Sequence, residues 1–237
     1  MKDIEKFYKR AVKERSANST EELLNFISDS HGSKVQIASS LGAEDVVLID
    51  IMKRRNLEID VFTIDTGRLN QETYDLIDEI SSRYEIKINI LLPEPLDVKE
   101  MVEKKGMNLF YESTENRKLC CDIRKVKPLN RHLSELDAWI SGIRSEQNQN
   151  RLRSKRIELE HRDKLIIKYN PLLDWTYKQI FDYIKENNVP YNKLHDLGYP
   201  SIGCLPCTRS VKQGDKNRSG RWYWEEESNT ECGLHEN

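Results

Sequence analysis

The sequence predicts an α/β protein with a parallel sheet flanked by helices. Three observations carry this. Short runs rich in Val and Ile recur along the first half of the chain, longer segments with helical periodicity separate them, and loops of small or turn-forming residues follow them. The resulting order, βαβαβ, calls for crossover connections, which are right-handed in a parallel sheet.

Residues 3–30 read as two amphipathic helices, the second opening at Thr20-Glu21-Glu22-Leu23 with a cap and an acidic first turn. Val35-Gln36-Ile37-Ala38 is the first strand, and residues 44–55 form the next helix. A second strand, Ile59 to Ile64, leads into Asp65-Thr66-Gly67-Arg68. Residues 70–83 are helical, and residues 86–92 are a third strand. After Pro93-Glu94-Pro95 the chain is helical to Lys105. Residues 117–136 read as one further helix with Cys120-Cys121 near its start. Ala138 to Gly142 is a fourth strand. Residues 157–160 and 165–169 pair as a hairpin, and residues 176–187 are a helix that stops before Pro190. The expected organisation is a single α/β domain over residues 1–211, followed by a polar tail over 212–237 that can swing.

The chain has 237 residues and a net charge of −2, so no global basic field argues for a nucleic-acid partner. Met1-Lys2-Asp3-Ile4-Glu5-Lys6 lacks an apolar signal core, and no run approaches the ~20 apolar residues of a membrane span. A cytoplasmic protein with no membrane partner is the expectation. Five cysteines in that compartment read as metal ligands or catalytic thiols, not as a disulfide framework.

Four of them form two close pairs, Cys120-Cys121 and Cys204-Leu205-Pro206-Cys207. Alone, a Cys-x-x-Cys is often a redox dithiol or half a zinc site, and adjacent cysteines are often accidental. Together they make four thiolate ligands, suited to tetrahedral zinc or an iron–sulfur cluster. Adjacent ligands reach different corners of a cubane more readily than they share one small ion, which favours [4Fe–4S]. The fifth, Cys232, stands apart in a tail that also carries Arg218, Arg221 and His235.

In an open parallel sheet, ligands bind beyond the carboxyl ends of the strands. Three loops belong there: Ser39 to Ala43, Asp65 to Arg68, and Gly142 to Arg151. The first opens a helix, so its backbone N–H groups suit an anion, although an ordinary tight turn has the same composition. It lacks the Gly-Lys-Ser/Thr of a Walker A loop. Arg144, Arg151, Arg218 and Arg221 suit bidentate phosphate or sulfate contacts. Lys125 lies about one helical turn from Cys121, near enough to offset the negative charge of a thiolate-bound cluster.

Taken as a set, these stretches resemble the assimilatory sulfonucleotide (APS/PAPS) reductases. The matching stretches are Ser39 to Asp45, Asp65 to Leu69, Cys120-Cys121 with Arg124 to Leu129, Trp139 to Arg144, Gly203 to Thr208, Gly220 to Trp224, and Glu231-Cys232-Gly233-Leu234-His235. They cover residues about 35 to 235. The resemblance implies a Rossmann-like, adenine nucleotide alpha-hydrolase-like fold with a cluster-binding helical region, and a [4Fe–4S] cluster held by Cys120, Cys121, Cys204 and Cys207. Members that keep those four cysteines mostly reduce adenylyl sulfate (APS); those without them typically reduce its 3′-phosphorylated form, PAPS. Cys232 matches the nucleophile. Ser39, Ser40, Gly42, Thr66, Gly142, Arg144, Arg151, Arg218, Arg221, His235 and Lys125 match positions lining the substrate pocket. The implied activity is thioredoxin-dependent reduction of APS to sulfite and AMP through a cysteine S-sulfo intermediate, in sulfate assimilation and cysteine biosynthesis. The alternatives are a PAPS reductase, an iron–sulfur PP-loop-type enzyme of tRNA or DNA thiolation, and a non-catalytic iron–sulfur module. A thioredoxin or similar dithiol is the expected protein partner, and a homo-oligomer is left open. The chain departs from the family in having Thr230 where a basic residue often precedes Glu-Cys.

Overall fold

A computed structural model of the chain describes residues 2–212, 214, 215 and 218–225. It forms two compact units. One is drawn from residues up to Thr63, Thr73–Asn89 and Leu133–Asn192; the other from Ile64–Glu72, Ile90–His132 and the chain from Lys193 onward.

The first unit is built on helices α1 (Lys2–Arg15), α2 (Thr20–His31), α3 (Ala43–Arg54), α4 (Gln71–Tyr84) and α8 (Tyr177–Asn187). Its strands are β1 (Val35–Ala38), β2 (Asp60–Ile64), β3 (Ile88–Leu91), β4 (Ala138–Ser141), β5 (Ile157–His161) and β6 (Leu165–Tyr169), in the sheet order β3-β2-β1-β4-β6-β5. β1 pairs in parallel with both β2 and β4, and β4 with β6; β5 is antiparallel to β6. The expected parallel sheet and the expected 157–169 hairpin are both present.

Capping sets the helix ends. Ser19 and Glu22 form a reciprocal capping box at α2, and Thr176 with Gln179 does the same at α8. α8 ends at Asn188, whose left-handed backbone turns the chain ahead of Pro190. α3 is buried over most of its length, from Asp45 to Met52, as a helix enclosed in a core is. Val46, Val47, Leu48 and Ile49 pack with Leu23, Leu24 and Ile27 of α2 and with Ile37, Ile140 and Ile167 of the sheet.

Polar groups are buried with this core, and two of them, Lys168 and Asp50, anchor networks. Lys168 of β6 is ion-paired to Glu160 (3.1 Å) and Glu158 (3.6 Å) of β5, and its ammonium lies 5.1 Å from the Trp139 ring centre on β4. Arg162 offsets the second carboxylate, 2.9 Å from Glu160. On α3, the buried Asp50 accepts from Tyr84 Oη (2.8 Å), Tyr183 Oη (2.7 Å) and Arg54 Nε (2.6 Å), which ties α3 to α4 and α8.

The second unit holds α5 (Pro95–Lys105), α6 (Thr114–Cys121) and α7 (Lys127–Leu133), with a smaller core around Met101, Leu109, Phe110 and Trp222. The stretch read as one helix over 117–136 is interrupted. A π-helical turn, Asp122–Val126, separates α6 from α7. Pro128 is the cause: it has no N–H to donate to residue 124, and its ring crowds that carbonyl. The Lys127 N–H instead reaches back five residues to the Asp122 carbonyl. No helix among the described residues is long and apolar enough to cross a membrane.

Asp50→Ala is expected to destabilise the protein by about 3 kcal/mol in urea unfolding, because it strands two phenol hydroxyls beside the core. Asp50→Asn, which keeps an acceptor, should cost less than half as much. Equal midpoints for wild type and the alanine variant would show that the node contributes nothing.

Candidate functional site

The first unit presents one site at the sheet's topological switch point. From β1 the chain proceeds outward to β2 and β3 on one side, while β4 and β6 lie on the other. The crevice at such a reversal is where open α/β sheets bind ligands. The loops after β1 and β4 meet there.

After β1, the Ser39 N–H still pairs with the Phe62 carbonyl (2.8 Å), and Ser39 Oγ accepts from the Leu41 N–H (3.1 Å). Leu41 adopts a left-handed backbone (φ 57°) and buries its side chain, and Gly42 then caps α3. Asp45, in the first turn of α3, turns its carboxylate into the loop. Its Oδ2 accepts from the Ser40 N–H (2.6 Å) and Ser40 Oγ (2.8 Å). The donors expected to face a phosphate are therefore engaged by the chain's own carboxylate. Gly142, after β4, lies against the same group: a Cβ there would sit 2.3 Å from Asp45 Oδ1. Ser141 holds the end of β4 in place by donating to Asn170 Oδ1 (2.6 Å).

Arg144 is buried, with Nε on Glu44 (2.8 Å) and Nη1 on Glu146 (2.7 Å). Gln147 also donates to Glu44 (3.0 Å), and Arg151 bonds the Gln147 side chain, so the 142–151 loop is fastened to the start of α3. Ser39, Ser40, Gly42, Gly142, Arg144 and Arg151 are thus brought together. Glu44 and Asp45, which organise them, had no assigned role from sequence. Two acidic residues in a first helical turn look like ordinary dipole compensation.

The second unit gathers the four paired cysteines around one cleft of ≈ 310 Å³, counted to its open mouth. Arg68, Arg124 and Lys125 share its wall. α6 delivers Cys120 and Cys121, and the π turn carries Arg124 and Lys125. The Asp65–Asn70 loop holds the other pair. The Leu205 N–H donates to the Arg68 carbonyl (2.8 Å), and Asn70 Nδ2 donates to the Gly203 carbonyl (3.0 Å). Thr66 Oγ1 lies 3.2 Å from Cys204 Sγ, and Arg124 Nη1 donates to the Thr66 carbonyl (2.6 Å). Gly67 supplies the turn, with φ 69°. Thr66 and Lys125 therefore belong to the cysteine cradle, as does Arg221. Its guanidinium lies on Gly203, where a Cβ would come within 2.4 Å of it, and 4.8 Å from the Trp222 ring centre. Arg218 lies on the same ring at 5.9 Å.

The cradle is electrostatically divided. Burial pushes the Cys204 thiol up, but Lys125, the Thr66 hydroxyl and Arg221 outweigh it, and the net shift is downward. Burial raises Cys120, and it raises Cys207 to about 12, helped there by the neighbouring Cys204 and Cys121 sulfurs. The protein's own cations favour one thiolate here, and ionising all four requires further positive charge among them. Among the described residues, no three His, Cys, Asp or Glu side chains converge on a single metal point. Cys232 and His235 lie outside the described residues. Arg68 and Arg117, which line the cleft, had no assigned role from sequence; each reads as one more surface cation until its neighbours are known.

Residues 34–210 match the family described as phosphoadenosine phosphosulfate reductase domain. The chain is 46% identical over 215 residues to the adenosine 5'-phosphosulfate reductase of Burkholderia cepacia, covering 90% of this chain and 84% of that one. It is 45% identical over 223 residues to the protein of the same name from Neisseria meningitidis serogroup A, covering 92% and 91%. A solved phosphoadenylyl-sulfate reductase from Candida auris, in a phosphate complex, superimposes with a TM-score of 0.72 at 29% identity, over 86% of this chain and 96% of that one. FMN adenylyltransferase from Candida glabrata, at 16% identity and a TM-score of 0.58 over 94% and 75%, shares the fold alone.

Burial drives the Asp45 carboxyl up from its ordinary 3.8 to about 6, against two hydrogen bonds from Ser40. An acid that ionises less readily in the folded chain favours folding at low pH. That contribution is lost as pH rises from 3.8 through about 6, and amounts to about 3 kcal/mol. Urea unfolding between pH 4 and 7 should show this loss in wild type and not in Asp45→Asn. Parallel pH profiles would refute it.

Proposed function

The chain belongs to the phosphoadenosine phosphosulfate reductase family, and from that premise we propose that it reduces APS to sulfite and AMP in sulfate assimilation, for cysteine biosynthesis. The observation that carries this reading is the cysteine cradle: four sulfurs and a set of cations around one cleft. The names of the 45–46% identical relatives point to APS as the nucleotide.

The four cysteines suit a [4Fe–4S] cluster. Spread around a cleft, they fit a cubane better than a single ion, and a cationic iron core supplies the charge that lets all four ionise. When bound, such a cluster contributes fixed charge and shape beside the reacting groups. Lys125, Arg68 and Arg124 balance the sulfurs around it.

In the proposed reaction the Cys232 thiolate attacks the sulfate sulfur. The bond from sulfur to the phosphate oxygen breaks, and AMP leaves with that electron pair. Cys232 is left as an S-sulfocysteine. A thiolate of thioredoxin or a similar dithiol attacks Cys232 Sγ and expels sulfite, and its second thiol resolves the mixed disulfide, so the dithiol is the two-electron reductant. Negative charge develops on the leaving phosphate oxygen, where arginine, lysine and backbone N–H groups stabilise it. Ser39, Ser40, Gly42, Thr66, Lys125, Gly142, Arg144, Arg151, Arg218, Arg221 and His235 are the proposed substrate contacts. The proposed organisation is one nucleotide-binding domain over 1–211 with residues 212–237 as the tail bearing the nucleophile, in a cytoplasmic protein.

APS without reductant should leave one sulfo group, about +80 Da from the mass of SO₃, on Cys232, with one AMP released per chain. Cys232→Ser should bind nucleotide yet form neither adduct nor sulfite, because a neutral hydroxyl is a far weaker nucleophile than a thiolate. Intact-protein mass spectrometry with peptide mapping decides this, and an adduct on another cysteine would reassign the nucleophile.

Sulfite release should favour APS over PAPS by at least tenfold in kcat/KM, about 1.4 kcal/mol in transition-state stabilisation. Equal or better turnover of PAPS would make the chain a PAPS reductase with the same chemistry.

A further inference from the structure

We propose that Arg117 and Glu225 form a charge-neutral clamp that positions Cys121 and the Trp222 wall of the cysteine cradle, and through them the cluster. This rests on the iron–sulfur reading above. Neither residue has a part in the proposed reaction, yet both are withdrawn from solvent: the Arg117 side chain is 0% exposed and that of Glu225 is 5%.

The geometry is a fork. Arg117 Nε donates to Glu225 Oε1 at 2.9 Å, and Nη2 donates to Oε2 at 2.8 Å. Arg117 stands one helical turn before Cys121 on α6, so the two side chains share a face, and the guanidinium also hydrogen-bonds the Cys121 sulfur. Its carbon lies 4.5 Å from the Trp222 ring centre. The Trp222 N–H donates in turn to the Cys207 carbonyl at 3.2 Å. One guanidinium therefore touches a ligand of the first cysteine pair and the residue that bonds the backbone of the second. The two pairs are far apart in sequence, and this contact fixes one relative to the other.

A buried ion pair of this kind adds little net stability, because desolvation offsets its attraction. What it supplies is placement. The planar fork admits one orientation on the carboxylate, and that orientation aims the remaining donors at Cys121. Glu225 cancels the positive charge, so the clamp orders the cradle without adding net charge to it. Groups that orient metal ligands in this way typically change metal retention by ten- to a hundredfold when lost.

The test compares wild type, Arg117→Met, Arg117→Lys, Glu225→Gln and the double variant Arg117→Met/Glu225→Leu under anaerobic conditions. It measures iron and sulfide per chain, the rate at which a ferrous-iron chelator bleaches the visible absorbance, and the unfolding midpoint of the iron-free protein. Arg117→Met should bleach ten- to a hundredfold faster than wild type, and Arg117→Lys, which keeps the charge without the fork, should stay at least fivefold faster. The double variant strands no charge, so it should recover the unfolding midpoint while still bleaching at least fivefold faster. That split separates positioning from stability. Should Arg117→Met fail to fold, Glu225→Gln decides, with about tenfold faster bleaching expected. Bleaching within twofold of wild type in folded Arg117→Met or in Glu225→Gln, or full rescue by lysine, would overturn the clamp while leaving the cluster standing. Wild type without stoichiometric iron and sulfide would remove both.

Discussion

Four sulfur atoms around one small cleft repel one another as soon as more than one is ionised, and the second unit is arranged around that repulsion. Its response is uneven by design of the chain. Lys125, Thr66 and Arg221 act on Cys204 and lower its thiol, while Cys207 and Cys120 are left under the control of burial and rise. The cradle is consequently an incomplete charge system. Its cations favour the Cys204 thiolate, and the cluster proposed above would supply the positive charge that the other sulfurs lack. Cations held at fixed distances around the cleft can stabilise anions and sulfurs alike.

Distances of that kind come from backbone devices, and here each traces to a residue. Pro128 removes one rung of a helical ladder, and the π turn that results places Arg124 and Lys125 beside the cysteines that end α6. Gly67 turns the loop whose Thr66 and Arg68 carbonyls accept from the Arg124 guanidinium and the Leu205 N–H. Gly203 leaves room for the Arg221 guanidinium to lie flat on the backbone. A proline and two glycines thus place three cations that no local propensity would have brought together.

The strand-end loop of the first unit shows a different economy. Its donors are satisfied internally, Ser40 by Asp45 and Arg144 by Glu44 and Glu146. In the proposed function, binding an anion there would be an exchange of partners, not the filling of an empty site. Internal carboxylates keep the donors oriented and prevent collapse, at some cost in affinity. The Asp45 carboxyl, raised by burial against the Ser40 hydrogen bonds, belongs to the same arrangement.

The order of strands and helices, the parallel sheet, the 157–169 hairpin and the start of α2 were all legible in the sequence, because each depends on local periodicity and capping chemistry; the cap expected at Thr20 falls one residue earlier, at Ser19, whose hydroxyl accepts from the Glu22 N–H. So was the grouping of cysteines: either pair alone says little, but two close pairs together make four ligands. Tertiary structure decided the rest. The break at Asp122–Val126 was latent in Pro128, but whether a proline ends, kinks or widens a helix depends on what packs around it. The roles of Glu44, Asp45, Arg68 and Arg117 were illegible because a charged residue announces nothing until its neighbours are known. In sequence Arg117 is one of 38 basic residues on a highly charged chain. In the fold it is fully buried, with Glu225 as its ion-pair partner, Trp222 against its face and Cys121 beneath it. Local chemistry determines which elements form; long-range contacts determine which charges lose their water, and that loss is what turns a surface residue into part of a site.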